Sequence, residues 1–110
     1  MTSPSKRKGS WFERLIRDYL AETMPCERIP AGRTDDIGDL FVTAPSVIEC
    51  KNRQQLSLGA WLDETTQKQA NANKPYHFLV VKRRGVTDPA RQFAICTVEQ
   101  MRRILDDLND

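Results

Sequence analysis

Asp39, Glu49 and Lys51 are the side chains of this 110-residue sequence whose types and spacing carry chemistry. Glu49 and Lys51 are separated by one residue within Val47-Ile48-Glu49-Cys50-Lys51. Side chains alternate across a strand, so both point to one face and Cys50 points to the other. A carboxylate and an ammonium among Val, Ile and Cys cost free energy unless each has a partner. Asp39 opens the preceding stretch, Asp39-Leu40-Phe41-Val42-Thr43, directly after Gly38, which frees the backbone for a tight approach. A turn at Ala44-Pro45-Ser46 pairs the two stretches as a hairpin and returns Asp39 toward Glu49. Two carboxylates and a backbone carbonyl make a hard oxygen site suited to Mg²⁺ or Mn²⁺. Such an ion polarises a phosphodiester, lowers the pKa of a bound water and stabilises the leaving oxygen. Lys51 beside it orients or helps deprotonate that water and offsets charge on the pentacovalent phosphate. Asp35 and Asp36 lie close by; Asp36 is the alternative ligand, and Asp39 is preferred because it begins the strand.

These residues need a scaffold, and the hydrophobic periodicity supplies one. Trp11, Phe12, Leu15, Ile16, Tyr19 and Leu20 recur at helical spacing, with Ser10 as N-cap and Pro25 as terminator. At ~100° per residue, Glu13 falls on the flank of that stripe. Cys26 to Ile29 reads as a short edge strand and residues 31–38 as a loop. The hairpin follows, then a helix from Leu56 to about Asn73 with Leu58, Trp61, Leu62 and Thr65 on its apolar face and Ser57 as its cap. Tyr76-His77-Phe78-Leu79-Val80-Val81 is a near-continuous apolar run, expected as a strand covered on both faces. A loop containing Pro89 leads to a strand at Phe93 to Cys96. Thr97 and Gln100 then form a capping box for a last helix carrying Val98, Met101, Leu105 and Leu108. The order fits an α/β fold, a central mixed sheet flanked by helices.

Composition sets the limits. The chain is 39% hydrophobic and 29% charged, a balance that fits one globular domain. Residues 1–8 lack apolar period and are expected as a flexible basic tail, leaving residues 9–110 as a single domain. No apolar run reaches the length of a membrane span, and the basic N-terminus precedes no apolar stretch of a secretory signal. The expectation is a soluble protein of the cytoplasm. Three cysteines without paired spacing, and His77 as sole histidine, argue against a Cys/His zinc site and a disulfide framework. Net charge is only +2, but it is clustered. Lys6-Arg7-Lys8 and Lys82-Arg83-Arg84 attract polyanions, with Arg33 ahead of Asp39 as a further phosphate contact.

The ordered set resembles the PD-(D/E)xK nuclease superfamily, whose restriction-endonuclease-like core runs α-β-β-β-α-β. Here it is followed by a C-terminal strand and helix. Lys8-Gly9-Ser10-Trp11-Phe12-Glu13-Arg14 is similar to the opening helix of archaeal-type Holliday-junction resolvases. Gly38-Asp39-Leu40, Val47-Ile48-Glu49-Cys50-Lys51-Asn52, Trp61-Leu62-Asp63-Glu64, Asn71 with Asn73, and Val80-Val81-Lys82-Arg83-Arg84-Gly85 resemble resolvase-like endonucleases of actinobacterial phages. The resemblance implies Asp39, Glu49 and the Cys50 carbonyl as metal ligands, Lys51 as catalytic lysine and Glu13 as an extra acid near the metal. It also implies Mg²⁺, replaceable by Mn²⁺, a homodimer, and branched DNA, above all four-way junctions, as substrate. A phage origin would place the protein in the host cytoplasm. DNA contacts are expected from Arg7, Lys8, Arg33, Lys82, Arg83 and Arg84, and help at the metal site from Gln67 or Gln69, with Glu64 nearby. Gly38 stands where the superfamily has its proline. The alternatives are a nuclease on nicked, flapped or single-stranded DNA, and a DNA-binding protein without catalysis.

Overall fold

Helix α1 (Pro4–Leu20) begins earlier than its apolar stripe. The computed structural model describes residues 3–30 and 37–110. Within them Ser3 caps α1, its hydroxyl accepting from the Lys6 N–H at 3.2 Å. Pro4 occupies the first turn, where a missing N–H costs nothing. The N-cap at Ser10 and the flexible tail over residues 1–8 are therefore corrected for residues 3–8, which cap and begin the helix. Lys6, Arg7 and Lys8 are good helix formers that add no apolar period, so a start fixed by the stripe falls two turns late.

Among the described residues, five strands form one mixed sheet in sequential order: β1 (Cys26–Arg28), β2 (Leu40–Val42), β3 (Ser46–Lys51), β4 (Tyr76–Val81) and β5 (Phe93–Ile95). The β1–β2, β2–β3 and β4–β5 pairs are antiparallel, and β3–β4 is parallel. Helix α2 (Leu58–Ala72) is the crossover that a parallel pair requires. It ends at Asn73, whose left-handed backbone (φ 53°) closes the last turn. A 3₁₀ turn at Pro89–Arg91 interrupts the loop before β5, and α3 (Val98–Leu108) closes the described chain.

The two sheet faces are covered by different helices. Phe12 and Ile16 of α1 bury against Cys26, Leu40, Val42, Ile48 and Cys50. By alternation and register, Val47, Glu49, Lys51, His77, Leu79 and Val81 share the opposite face, toward α2. Glu49 and Lys51 therefore lie on one side of the sheet with Cys50 on the other, as alternation requires. The α3 capping box forms by half. The Thr97 hydroxyl accepts from the Gln100 N–H at 3.0 Å, but the Thr97 N–H goes to His77 Nε2 at 3.2 Å. The Gln100 carbonyl oxygen accepts instead from the His77 backbone N–H at 2.9 Å. Buried His77 captured both groups, a tertiary demand invisible to a local motif. No described helix is long and apolar enough to cross a membrane.

Candidate acidic site

The site forms where β2 stops covering β3. Only Leu40 and Ile48 align in the β2–β3 register, whereas β3 pairs with β4 from Ser46 to Lys51. Asp39 is held by its backbone on both sides, its carbonyl accepting from Ile29 N–H at 2.8 Å and its N–H donating to Ile48 O at 2.9 Å. Gly38 makes this possible. Its φ is +108°, and a Cβ there would stand 3.0 Å from Val47 Cγ1 and 3.2 Å from the Ile48 carbonyl oxygen. The Cys50 N–H, with no β2 residue opposite it in the register, donates to Asp39 Oδ2 at 2.8 Å. Asp39 thus caps an open stretch of ladder while holding its carboxylate beside Glu49.

Glu49 is only 2% exposed. Its Oε1 lies 2.9 Å from Lys68 Nζ on α2. Lys51, two residues on, points to the same helix, its ammonium 3.9 Å from Glu64 Oε2 and 5.9 Å from the centre of the Trp61 ring. Glu13 reaches the site from α1. Its Oε1 accepts from Arg28 Nε at 3.2 Å and Nη2 at 3.1 Å, and Nη2 also donates to Ser10 Oγ at 3.3 Å. Burial, then the neighbouring Asp39 charge, pushes the Glu49 carboxyl up to about 7, against the opposing pull of Lys68 and Lys51. The same two causes raise Glu13, opposed by Arg28. Burial also pushes the Cys50 thiol up, leaving it an inert thiol in the core.

Asp39, Glu49, Lys51, Glu13 and Cys50 line one cleft of about 560 Å³. An adjoining groove of about 810 Å³ shares Ser5, Lys51, Asn52 and Arg53 with it and adds Lys8 and Trp61. Lys6, Lys8, Lys51, Arg53 and Lys68 therefore flank the acidic pair along one continuous depression. Of the residues expected at phosphates, Lys8 lines this depression, and Arg7 sits exposed on α1 outside its lining. Lys82, Arg83 and Arg84 follow β4 outside it. The Lys82 ammonium donates to the Arg83 and Val86 carbonyls of its own turn, and the Arg83 guanidinium lies 5.6 Å from the Phe93 ring centre. Arg33 and the alternative acids Asp35 and Asp36 lie outside the described residues.

On α2 the residue facing the acids is Lys68, between the two glutamines expected there. Gln67 bonds Asn71 at 3.2 Å, and Gln69 bonds His77 Nδ1 at 2.8 Å, away from the cleft. Helical phase carried that signal: Trp61, Thr65 and Lys68 fall four and three residues apart, on the stripe that buries Thr65. Arg28 was equally readable, two residues from buried Cys26 on the same face of β1. Comparison with protein-family models, curated proteins and solved structures found no match.

Proposed function

We propose that this chain is a divalent-metal-dependent endonuclease of the PD-(D/E)xK type, acting on branched DNA. The observation that carries the reading is the convergence of Asp39, buried Glu49 and Lys51 in a depression flanked by lysine and arginine. Among the described residues, no group of three or more His, Cys, Asp or Glu side chains is clustered to hold an ion unaided. Mg²⁺ does not need one, since it commonly takes one or two carboxylates and completes its shell with water and phosphate oxygens. An all-oxygen pair fits that habit, and the burial and Asp39 charge that together raise Glu49 are the load a cation would relieve.

Asp39 and Glu49 would hold the ion. When bound, it supplies Lewis-acid polarisation of the phosphate and a more acidic water. The chain's own residues supply the rest. Lys51 offers an ammonium on the Glu49 side of the sheet, placed to hold a proton or offset charge at the phosphate. Lys68 balances Glu49 when no cation is present. Arg28 fixes the Glu13 carboxylate at the cleft wall. Lys6, Lys8 and Arg53 neutralise backbone phosphates along the depression. Branched substrate is the finer part of the proposal and rests on the resemblance of the motifs.

Incubating the protein with a synthetic four-way junction and a matched duplex, in Mg²⁺ or chelator, tests both parts. Metal-dependent cutting that Glu49→Ala and Lys51→Ala abolish supports the nuclease, and preference for the junction supports the substrate. Equal cutting of both DNAs removes the junction, and no cutting of any DNA removes the nuclease.

A further inference from the structure

The groove beside the acidic cleft differs from it in composition. The cleft carries Glu13, Asp39 and Glu49. The groove is lined by Lys8, Lys51 and Arg53, and among the described residues no carboxylate lines it. Its other walls hold the carboxamides of Gln54 and Gln55, both exposed, and the indole of Trp61. That indole is not spent on the core. The buried residue of α2 is Thr65, and Trp61, one turn before it, is only partly buried at the groove wall. The Trp61 backbone is nevertheless fixed, its N–H donating to the Ser57 carbonyl at 2.9 Å and its carbonyl accepting from Thr65 Oγ1 at 2.7 Å. Asn52 Nδ2 donates to the Lys8 carbonyl at 3.3 Å, which ties the chain after β3 to α1 and holds the two cationic walls together.

We infer that this groove binds an unpaired nucleotide of single-stranded DNA, with its base stacked on Trp61 and its flanking phosphates on Lys51, Arg53 and Lys8. Three cations and no acid select a polyanion. An acidic peptide would be served by the cations alone. A nucleobase also has a π-face for the indole and polar edges for Gln54 and Gln55. A paired base offers neither, since its faces are covered by its stack and its edge by its partner. A groove of about 810 Å³ is the size of a small-ligand site, which takes a strand and not a duplex. Lys51 sets the path. It lines both depressions, with the acidic pair in one and the indole in the other, and its ammonium lies 5.9 Å from the centre of the Trp61 ring. A phosphate held by Lys51 would face the acids while its own nucleoside reaches Trp61. This last step rests on the nuclease reading and narrows its substrate to DNA whose strand is open beside the scissile phosphate.

Binding in chelator, where nothing is cut, tests the site. Trp11→Phe leaves Trp61 as the only tryptophan. An oligothymidylate of about ten nucleotides should quench its fluorescence, while a matched duplex and polyglutamate should leave it nearly unchanged. Anisotropy of the same oligonucleotide carrying a dye reads affinity without tryptophan. Trp61→Leu should raise the dissociation constant about tenfold or more, and Trp61→Phe should restore most of the affinity, with circular dichroism unchanged. The quench reads the native residue, so it decides the matter even where Trp61→Leu disturbs the fold. Absence of quenching overturns the inference, as does equal quenching by the duplex or by polyglutamate, or a folded Trp61→Leu that binds like wild type. Quenching by the single strand without metal-dependent cutting of any DNA removes the nuclease and keeps the site. Cutting without a Trp61 response removes the site and keeps the nuclease.

Discussion

Replacing Glu49 by glutamine should change how the protein responds to pH more than how it folds at any one pH. Below about 4.5, its ordinary value, Glu49 carries its proton in both the folded and the unfolded chain and contributes no pH dependence. As pH rises above that value, the unfolded chain releases the proton. The folded chain keeps it until about 7, because burial and Asp39 oppose the charge. The folded state therefore binds more protons across this window, and stability falls as pH rises through it, levelling off above about 7. The interval from 4.5 to about 7, at about 1.4 kcal/mol per pH unit, amounts to about 3 kcal/mol. That is a large share of the stability of a domain this size. Glu49→Gln abolishes the titration. Fixed consequences of the substitution, such as altered packing, cancel when the variant is compared with wild type at two pH values, and the Lys68 ion pair, which forms as Glu49 ionises, is already counted in the raised value. Urea denaturation followed by fluorescence of Trp11 and Trp61, at pH 4.5 and pH 8, should show the stability difference between variant and wild type shifting by about 3 kcal/mol in favour of the variant. Parallel pH profiles for the two proteins would refute the idea that Glu49 is a strained, cation-seeking carboxylate.

Asp39→Asn keeps an oxygen to accept from the Cys50 N–H but removes the charge beside Glu49, so the same titration should show a shallower pH slope than wild type with the fold intact. An unchanged slope would mean that Asp39 does not load Glu49. Lys51→Met gives up a partly exposed ion pair with Glu64, so its urea midpoint should correspond to a loss of no more than about 1 kcal/mol, while metal-dependent DNA cutting drops about 100-fold or more. Gly38→Ala forces a side chain onto a φ of +108° against Val47 and the Ile48 carbonyl, and should cost about 2–3 kcal/mol by denaturant unfolding. A neutral result there would remove the strained turn from the account of how Asp39 is placed.

What the sequence made legible was what depends on local period. Alternation put Glu49 and Lys51 together and Cys50 in the α1-side core, and turn residues returned Asp39 to β3. The strand of Tyr76 to Val81 and the helix opening after Ser57 were readable for the same reason. Features set by tertiary competition were not. Ser57 occupies the α2 cap position without a side-chain cap bond. Gln100 serves His77 in place of Thr97. Lys82, Arg83 and Arg84 looked like a phosphate patch as a string of charge, yet the Lys82 ammonium is spent on the carbonyls of its own turn. The partner of Glu49 is not one of the α2 amides Gln67 and Gln69 but the lysine between them, Lys68, which stands at the buried helical phase.

Unequal strand lengths explain how this place in the sheet can carry an acidic pair. β3 has six residues and β2 has three, so the last turns of β3 lose their antiparallel neighbour while β4 still holds their other edge. An open ladder in a half-buried position leaves an N–H to satisfy. The chain satisfies it with a carboxylate rather than a carbonyl, and that substitution brings a negative charge next to Glu49 at the point where side chains from both helices reach the cleft wall. The backbone bond fixes Asp39 in place without using its second oxygen, and Lys68 balances Glu49 from α2. On the proposed reading, a carboxylate pair held this way would be positioned before any ion arrived, so the cost of bringing like charges together would be met by folding and not by binding.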